Sequence, residues 1–301
     1  MEILESALRL SVPLAFAALG GVLSERVGVV NIALEGMLLS GAFAAMAAAH
    51  GFQCGWLGVA AAALCGALLG LLHALLVLRL RVDAIISGVG INLLAAGATT
   101  FLLRSAFSSG GVGVQVSGPA PWLPSLRNVP VLGLLLGGVT PLVPLAVLCC
   151  AAAWFVLYRT RPGLQLRAVG EAPAAARAAG IPVNAYRALW LAAGGALAGV
   201  GGAYLSLVSS GRFTENLSAG RGFLALAAVI LGRWHPLGAV TAVLLFGLSE
   251  ALQFRLQGQP VLGVTLPSEL WSALPYLLGL LALAGFLGRS RPPAGLGQVE
   301  A

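Results

Sequence analysis

The sequence predicts an all-α fold, a polytopic integral membrane protein with about nine transmembrane helices, some of them broken or re-entrant. The 301 residues are 59% hydrophobic and 9% charged, with a mean hydropathy of +0.96, whereas soluble domains are about 25% charged. The apolar residues also fall into runs near the ~20 residues that an α-helix needs to cross a bilayer. Both observations favour a single transmembrane domain over residues 1–301.

The candidate spans follow one another along the chain, and two stretches depart from a simple crossing. Gly222–Gly232 is half a span long and is followed by Pro236, so it should lie against protein or a water-filled cavity. The Gly/Pro/Ser-rich connection Arg104–Thr140 contains Val131–Leu136, an apolar patch that is too short to span and is a candidate re-entrant segment. The candidate spans are Ala7–Leu23, Val29–Ala49, Cys54–Leu78, Ala84–Leu103, Pro141–Tyr158, Ala188–Val208, Gly222–Gly232, Leu237–Leu252 and Leu270–Leu287.

Several residues within the spans are expected to have packing roles. Gly66 and Gly70 in the third span, like Gly195 and Gly199 in the sixth, have the four-residue spacing that lets helices approach closely. His73 is expected to be a packed histidine whose hydrogen bonds are satisfied. The cysteines lack metal-ligand spacing and are expected to be small buried hydrophobes; they are Cys54, Cys65, Cys149 and Cys150.

The distribution of arginines predicts the orientation. All 17 basic residues are arginines, and arginines near spans stay on the cytoplasmic side because carrying them across the membrane is costly. The longest hydrophilic run, residues 159–187, is therefore predicted to be cytoplasmic, with the N-terminus outside and the C-terminus inside. This orientation places on the cytoplasmic side Arg26, Arg79, Arg81, Arg159, Arg161, Arg167, Arg177, Arg187, Arg233, Arg289 and Arg291.

The composition also argues against several functions. A P-loop needs a lysine to hold phosphates, and the chain has no lysine. Its arginines are dispersed between apolar spans, which argues against binding of nucleic acid. Asp83 is the only aspartate, and neither an HExxH nor a GxSxG motif occurs. We therefore expect no catalytic residue, no metal site and no cofactor in this chain.

Three polar residues inside spans are candidates for a substrate pathway. A carboxylate at mid-bilayer costs about 2.5–3.5 kcal/mol, so Glu35 needs a partner or a wet cavity. Asn31 lies four residues earlier, on the same face of a helix over Val29–Ala49, and Asn92 follows two glycines in the fourth span. The alternative is that these side chains tie helices together without touching substrate, and the sequence leaves both open.

A short Ala-rich piece, Glu171–Ala179, is predicted to form a cytoplasmic helix. Pro173 would lie in its first turn and Gly180 just past its end, which are typical helix boundaries. Its nearly featureless surface suits docking into a groove of another protein.

Six stretches carry a resemblance to a known family. Two of them are Gly28–Ala45 (GVVNIALEGMLLSGAFAA) and Arg159–Val183. They resemble the permease subunits of bacterial ABC importers of the ribose/branched-chain amino-acid type, the first most closely the nucleoside (simple sugar) branch and the second the family's cytoplasmic coupling segment. The similarity spans essentially the whole chain. The other stretches are Ile86–Ala95, Gly220–Ala239, Leu274–Leu278 and Pro292–Gly297.

The resemblance implies an ATP-driven importer of the bacterial cytoplasmic (inner) membrane that works by alternating access. Two permease subunits would form the pore, and a second, longer paralogue would make it a heterodimer. Separate ATP-binding subunits would bind the ATP, and an extracytoplasmic solute-binding protein would deliver the solute. The family's coupling helix corresponds to Glu171, Ala175, Arg177 and Gly180 in this chain.

Nucleoside is the expected solute, followed by simple sugars and branched-chain amino acids. Two other classes remain as alternatives. A secondary transporter would also be polytopic but would need no docking loop, and an integral-membrane enzyme would need a catalytic cluster at one membrane face.

Overall fold

The computed structural model describes residues 2–107, 140–257, 260–261, 264–265, 270–271, 273–281 and 291–298. The candidate re-entrant patch Val131–Leu136 and the end of the last predicted span lie outside these residues. The described elements are α1 (Glu2–Arg26), α2 (Leu34–Phe52), α3 (Gly55–Ala74), α4 (Ala84–Phe107), α5 (Leu142–Arg159), α6 (Arg161–Glu171), α7 (Pro173–Ala178), α8 (Val183–Ala203), α9 (Arg221–Leu231), α10 (Pro236–Leu256), β1 (Pro260–Val261), β2 (Val264–Thr265) and α11 (Leu274–Leu281). Short π-helical turns, Leu75–Arg79 and Tyr204–Ser209, continue α3 and α8.

The predicted helical class is confirmed in outline. Apart from β1 and β2, which pair antiparallel over two residues each, the described elements are helices. Six of them are long and apolar enough to cross a membrane, which makes this a multi-pass protein, while the count of nine crossings stays a prediction. The six are Ile3–Arg26, Gly55–Arg79, Ala84–Phe107, Leu142–Arg159, Val183–Ser209 and Pro236–Leu256.

Two predicted spans are not continuous crossing helices. The second, Val29–Ala49, was predicted to be one helix, but residues 27–33 are non-helical and α2 begins only at Leu34. The seventh is the 11-residue helix α9, which is as short as its sequence indicated. The non-helical residues 27–33 are buried or half-buried, so neighbouring groups can satisfy the backbone that this break exposes.

Helices α1, α2 and α8 form the centre of the bundle. Of an apolar stretch of 18 residues in each helix, 78% of the residues are buried in α1 and 72% in α8 with its π-helical turn. The share is 33% in α3 with its π-helical turn and 28% in both α4 and α5. Helix α2 packs against α3, α4 and α8. The outer helices therefore direct many apolar side chains away from the bundle, as helices facing lipid do.

The predicted close approach of glycine-bearing helices is confirmed between α3 and α8. A Cβ atom added at Gly66 would lie 2.1 Å from the carbonyl oxygen of Gly195, and one added at Gly195 would lie 2.2 Å from that of Gly66. A Cβ atom at Gly199 would lie 2.1 Å from the carbonyl oxygen of Ala62. The two backbones thus touch where a side chain has no room, which is how small residues bring membrane helices together.

One end of the bundle gathers segments that the arginine distribution assigns to the cytoplasm. Arg26, at the end of α1, donates from Nε to the carbonyl oxygen of Trp234 (2.8 Å) and lies 3.9 Å from the carboxylate of Glu171. Arg187, near the start of α8, donates to the carbonyl oxygen of Gln298 (3.1 Å). Because α1 has 25 residues and rises ~1.5 Å per residue, its first turn lies at the opposite end.

We expect Gly66→Ala to destabilise the protein by about 1–3 kcal/mol, because the added methyl group overlaps the α8 backbone. Thermal unfolding of the detergent-solubilised protein measures the effect. The matched control is Gly97→Ala in α4, where nothing lies within 4 Å of an added Cβ atom. The Tm of the control should not fall. Its free energy of unfolding can rise by up to about 1 kcal/mol, because alanine has a better helix propensity than glycine. Equal Tm values for the two variants would contradict the close contact.

Candidate functional site

The candidate pathway residues surround the break between α1 and α2. Gly28 follows the end of α1 with a φ of +94°, and its N–H donates back to the carbonyl oxygen of Glu25 (3.0 Å). A left-handed glycine just past a helix end is a common way to terminate a helix. Asn31 therefore lies in the non-helical segment, and the prediction that Asn31 and Glu35 share one helix face is wrong.

Asn31 is fully buried in this segment, with 0% of its surface exposed. Its Nδ2 donates to the hydroxyl of Ser24 (3.0 Å), and its main-chain N–H lies 3.5 Å from Oε1 of Glu25. Its Oδ1 finds no hydrogen-bond partner within the part of the chain that the structure describes. An unpaired buried acceptor costs about 1–3 kcal/mol of stability. A hydrogen bond from a further donor to this oxygen would therefore be favourable.

Glu35 lies in the first turn of α2 and contacts the N-terminus of α9. Its Oε1 accepts hydrogen bonds from the Ser218 hydroxyl (2.5 Å) and the Gly220 N–H (2.8 Å), and its Oε2 accepts from the Gly222 N–H (2.6 Å). A carboxylate is favoured there because the first N–H groups of a helix are unpaired and its dipole is positive at that end. Glu35 thus caps a helix that is 183 residues or more away in the sequence.

Asn92 of α4 bridges the two sides of the break. Its Oδ1 accepts from the Gly36 N–H (2.8 Å), and its Nδ2 donates to the carbonyl oxygen of Ile32 (3.0 Å). The Gly36 N–H belongs to the first turn of α2 and has no partner within that helix. The Asn92 amide therefore satisfies one main-chain group on each side of the point where α2 begins.

His73 of α3 holds the same segment from another side, and its predicted packing role is confirmed. Its Nε2 lies 3.0 Å from the carbonyl oxygen of Val30, and its Nδ1 lies 2.8 Å from the hydroxyl of Ser87. Because a carbonyl oxygen can only accept, Nε2 carries the proton in the first bond. Both ring nitrogens are thereby satisfied inside the protein.

Glu25, Arg26 and Trp234 form a polar cluster that the sequence did not single out. Glu25 is 2% exposed and accepts from the indole N–H of Trp234 (2.6 Å), while Arg26 donates to the main-chain carbonyl of the same Trp234. Next to them, His235 stacks on Tyr158 with 5.0 Å between ring centroids. Burial and the charge of Arg26 lower the pKa of His235, which disfavours protonation of its ring. One signal was available in the sequence, since a carboxylate at the end of an apolar span requires a buried partner.

The predicted coupling residues lie on α7 and its flanks. Glu171 ends α6 instead of beginning the Ala-rich helix, because Ala172 separates α6 from α7. Gly180, with a φ of +81°, follows the end of that helix as predicted. The four predicted residues, Glu171, Ala175, Arg177 and Gly180, are all exposed. Their contact with an ATP-binding subunit stays a prediction.

Known proteins resemble this chain over nearly its whole length. Residues 3–283 match the profile of the family described as Branched-chain amino acid transport system / permease component. A nucleoside ABC transporter permease protein of Lactococcus lactis subsp. cremoris is 40% identical, covering 94% of this chain and 91% of the relative. A guanosine ABC transporter permease protein of Bacillus subtilis is 37% identical, covering 98% of this chain and 95% of the relative. A putative glucose ABC transporter permease protein of Haloferax volcanii is 35% identical, covering 94% and 90%.

The matched region includes the six apolar helices, the break before α2 and the predicted coupling segment. The tail Arg291–Gln298 lies beyond it. With a profile match of this length, and relatives that are 35% to 40% identical, this multi-pass membrane protein belongs to the family of permease components of the branched-chain amino acid transport system.

Proposed function

We propose that this chain is the membrane-spanning permease subunit of an ATP-driven ABC importer that takes up nucleosides. The observation that carries the proposal is the 40% identity, over nearly all of both chains, to a relative named as a nucleoside ABC transporter permease. A second relative is named for guanosine, which is a nucleoside. A simple sugar is the alternative solute, because a third relative is named as a putative glucose permease.

The proposed assembly includes several partners. Because the chain has no lysine and a P-loop requires one, the ATP-binding subunits are separate chains, and the ATP is theirs. A paralogous permease makes the pore a heterodimer, and an extracytoplasmic solute-binding protein delivers the solute. A secondary transporter would lack these partners, so co-purification of ATP-binding subunits with the tagged chain distinguishes the two classes.

We place the protein in the bacterial cytoplasmic (inner) membrane with its arginine-rich end inside. Arg26, Arg187 and the tail lie together at that end, and arginines are retained on the cytoplasmic side. The first turn of α1 is at the other end, so the N-terminus is outside and the C-terminus inside. The nine proposed crossings are the six long helices and three further passages, at α2, at α9 and at the span that the sequence predicts over Leu270–Leu287.

The proposed solute pathway passes the break between α1 and α2, and its three residues have different parts. Asn31 contributes an acceptor oxygen with no partner among the described residues, which a ribose hydroxyl or a base N–H can satisfy. Glu35 and Asn92 hold the backbone around it through their bonds to α9 and α2. A single hydrogen bond of this kind suits a pathway, because solute must bind weakly enough to leave again.

The coupling step is proposed to begin at α7. Ala175, Arg177 and Gly180 present an exposed surface with few bulky side chains, which can enter a groove on an ATP-binding subunit. When ATP closes the pair of ATP-binding subunits, α7 moves with them. Helix α6 then carries the movement to the membrane, because Gly170 packs directly against the end of α1 at the Arg26 carbonyl.

The proposed solute is tested with the complete transporter in proteoliposomes. We expect ATP-dependent uptake of radiolabelled guanosine that other unlabelled nucleosides compete with and that glucose and leucine leave unchanged. Competition by glucose but not by nucleosides would move the assignment to simple sugars. Uptake that is independent of ATP and of the ATP-binding subunits would support a secondary transporter instead.

The pathway is tested at Asn31. We expect Asn31→Ala to lower uptake per assembled complex about five-fold, the equivalent of one hydrogen bond worth about 1 kcal/mol. This variant also loses the bond between Asn31 and Ser24. The matched control is therefore Ser24→Ala, which removes that bond and keeps Oδ1 of Asn31. Equal losses of uptake in both variants would assign Asn31 a structural role alone.

Coupling is tested at Ala175. We expect Ala175→Trp to leave the protein inserted and to lower uptake at least five-fold, because overpacking costs about 1–3 kcal/mol. Less ATP-binding subunit should co-purify with this variant. The control Ala175→Ser keeps the side chain small and should behave as the wild type. Wild-type uptake and solute-stimulated ATP hydrolysis in Ala175→Trp would exclude α7 from the interface.

A further inference from the structure

The tail Arg291–Gln298 has no role in the proposed function, although it is held in place on the bundle. It lies at the arginine-rich end, where its buried residues Pro293 and Gly295 face the protein. Its main chain bonds to two separate parts of the molecule, the end of α6 and the start of the break before α2.

The first attachment is to α6. The Gly295 N–H donates to the carbonyl oxygen of Gly170 (2.8 Å), and the Ala294 N–H donates to Oε2 of Glu171 (3.1 Å). The fit is close, because a Cβ atom added at Gly295 would lie 2.8 Å from the Gly170 carbonyl oxygen and 3.1 Å from Cδ of Pro173. The tail is thus bonded to the last two residues of α6 and packed against the first residue of α7.

The second attachment is to the break. The Gly297 N–H donates to the carbonyl oxygen of Gly28 (3.1 Å). The Gln298 carbonyl accepts from Nη2 of Arg187, whose Nε lies 3.4 Å from the carbonyl oxygen of Val27. Arg187 is 1% exposed, so this bridge is enclosed by protein. The tail therefore connects the predicted coupling segment directly to Val27 and Gly28, the residues that follow the end of α1.

We propose that the tail is a positioning strap that transmits the movement of α6 and α7 to the break between α1 and α2. The inference rests on the proposed function, since it assumes that α7 moves with an ATP-binding subunit. The direct contact of Gly170 with the Arg26 carbonyl is a packing contact, which resists compression and so transmits a push. Hydrogen bonds also resist separation, so the strap transmits the pull that returns the break to its starting conformation.

The strap is tested by truncation of the chain within the complete transporter. The variant lacks residues 291–301, and the matched control lacks only residues 299–301, which keeps every strap contact described above. We expect the variant to assemble and to hydrolyse ATP within two-fold of the control rate. Uptake per ATP hydrolysed should fall at least five-fold. If uptake per ATP hydrolysed stays unchanged, whether both rates are normal or both fall in parallel, the strap proposal is wrong.

A second variant keeps the chain length. Gly295→Val places a branched side chain against Gly170 and Pro173 and should separate the strap from α6, with the same fall in uptake per ATP. Its control, Gln298→Ala, loses only the side-chain bond to the carbonyl oxygen of Ala294 and keeps the main-chain acceptor for Arg187. Unchanged uptake per ATP hydrolysed in Gly295→Val would also overturn the proposal.

A readout that does not depend on the identity of the solute separates the two proposals. Ile32→Cys, in a background without the four native cysteines, places a thiol in the break at a half-buried position. We expect ATP with vanadate to change the rate of labelling of this thiol in the full-length chain but not in the chain truncated at residue 290. The same change in both chains overturns the strap and leaves the ATP-driven importer intact. No change in the full-length chain overturns both.

Discussion

The contact between the Glu35 carboxylate and the N-terminus of α9 is the interaction on which the arrangement of this bundle depends. Helix α2 follows the buried non-helical segment 27–33, α9 follows the partly exposed segment 210–220, and Glu35 joins the first turns of the two helices. Three donors around one carboxylate replace the water that a bilayer does not supply. Charge-assisted bonds of this kind are the stronger class, so a residue that is expensive in lipid becomes the link between two discontinuous helices.

The break before α2 is stabilised in the same way, by side chains that come from other helices. His73 from α3 and Asn92 from α4 pair with the main chain of Val30, Ile32 and Gly36. Non-helical backbone at membrane depth is tolerated only inside protein or along a cavity. Side chains from two other helices therefore satisfy main-chain groups at the break that have no partner within a helix.

The α3–α8 contact consists of direct backbone packing, in contrast to the side-chain hydrogen bonds that hold the break. Gly66, Gly195 and Gly199 bring two backbones into direct contact along their length, and no side chain there can change rotamer to relieve a displacement. Close packing of this kind transmits strain from one helix to the other. The protein thus combines a close-packed pair of helices with a non-helical break, and Gly170 and the tail connect the predicted coupling segment to that break.

The sequence by itself determined the helical membrane class, the positions of the six long apolar helices, the short length of α9, and the packing roles of His73 and of the glycine pairs. These features follow from hydropathy and from spacing within one segment, so they depend on local information. Only the tertiary structure decided that Asn31 leaves the helix, that Asn92 spans the start of α2, and that Glu35 caps α9. The sequence left Glu35 open between substrate contact and helix tie because a buried carboxylate needs donors, and its donors at Ser218, Gly220 and Gly222 are distant in the chain and become neighbours only when the bundle folds.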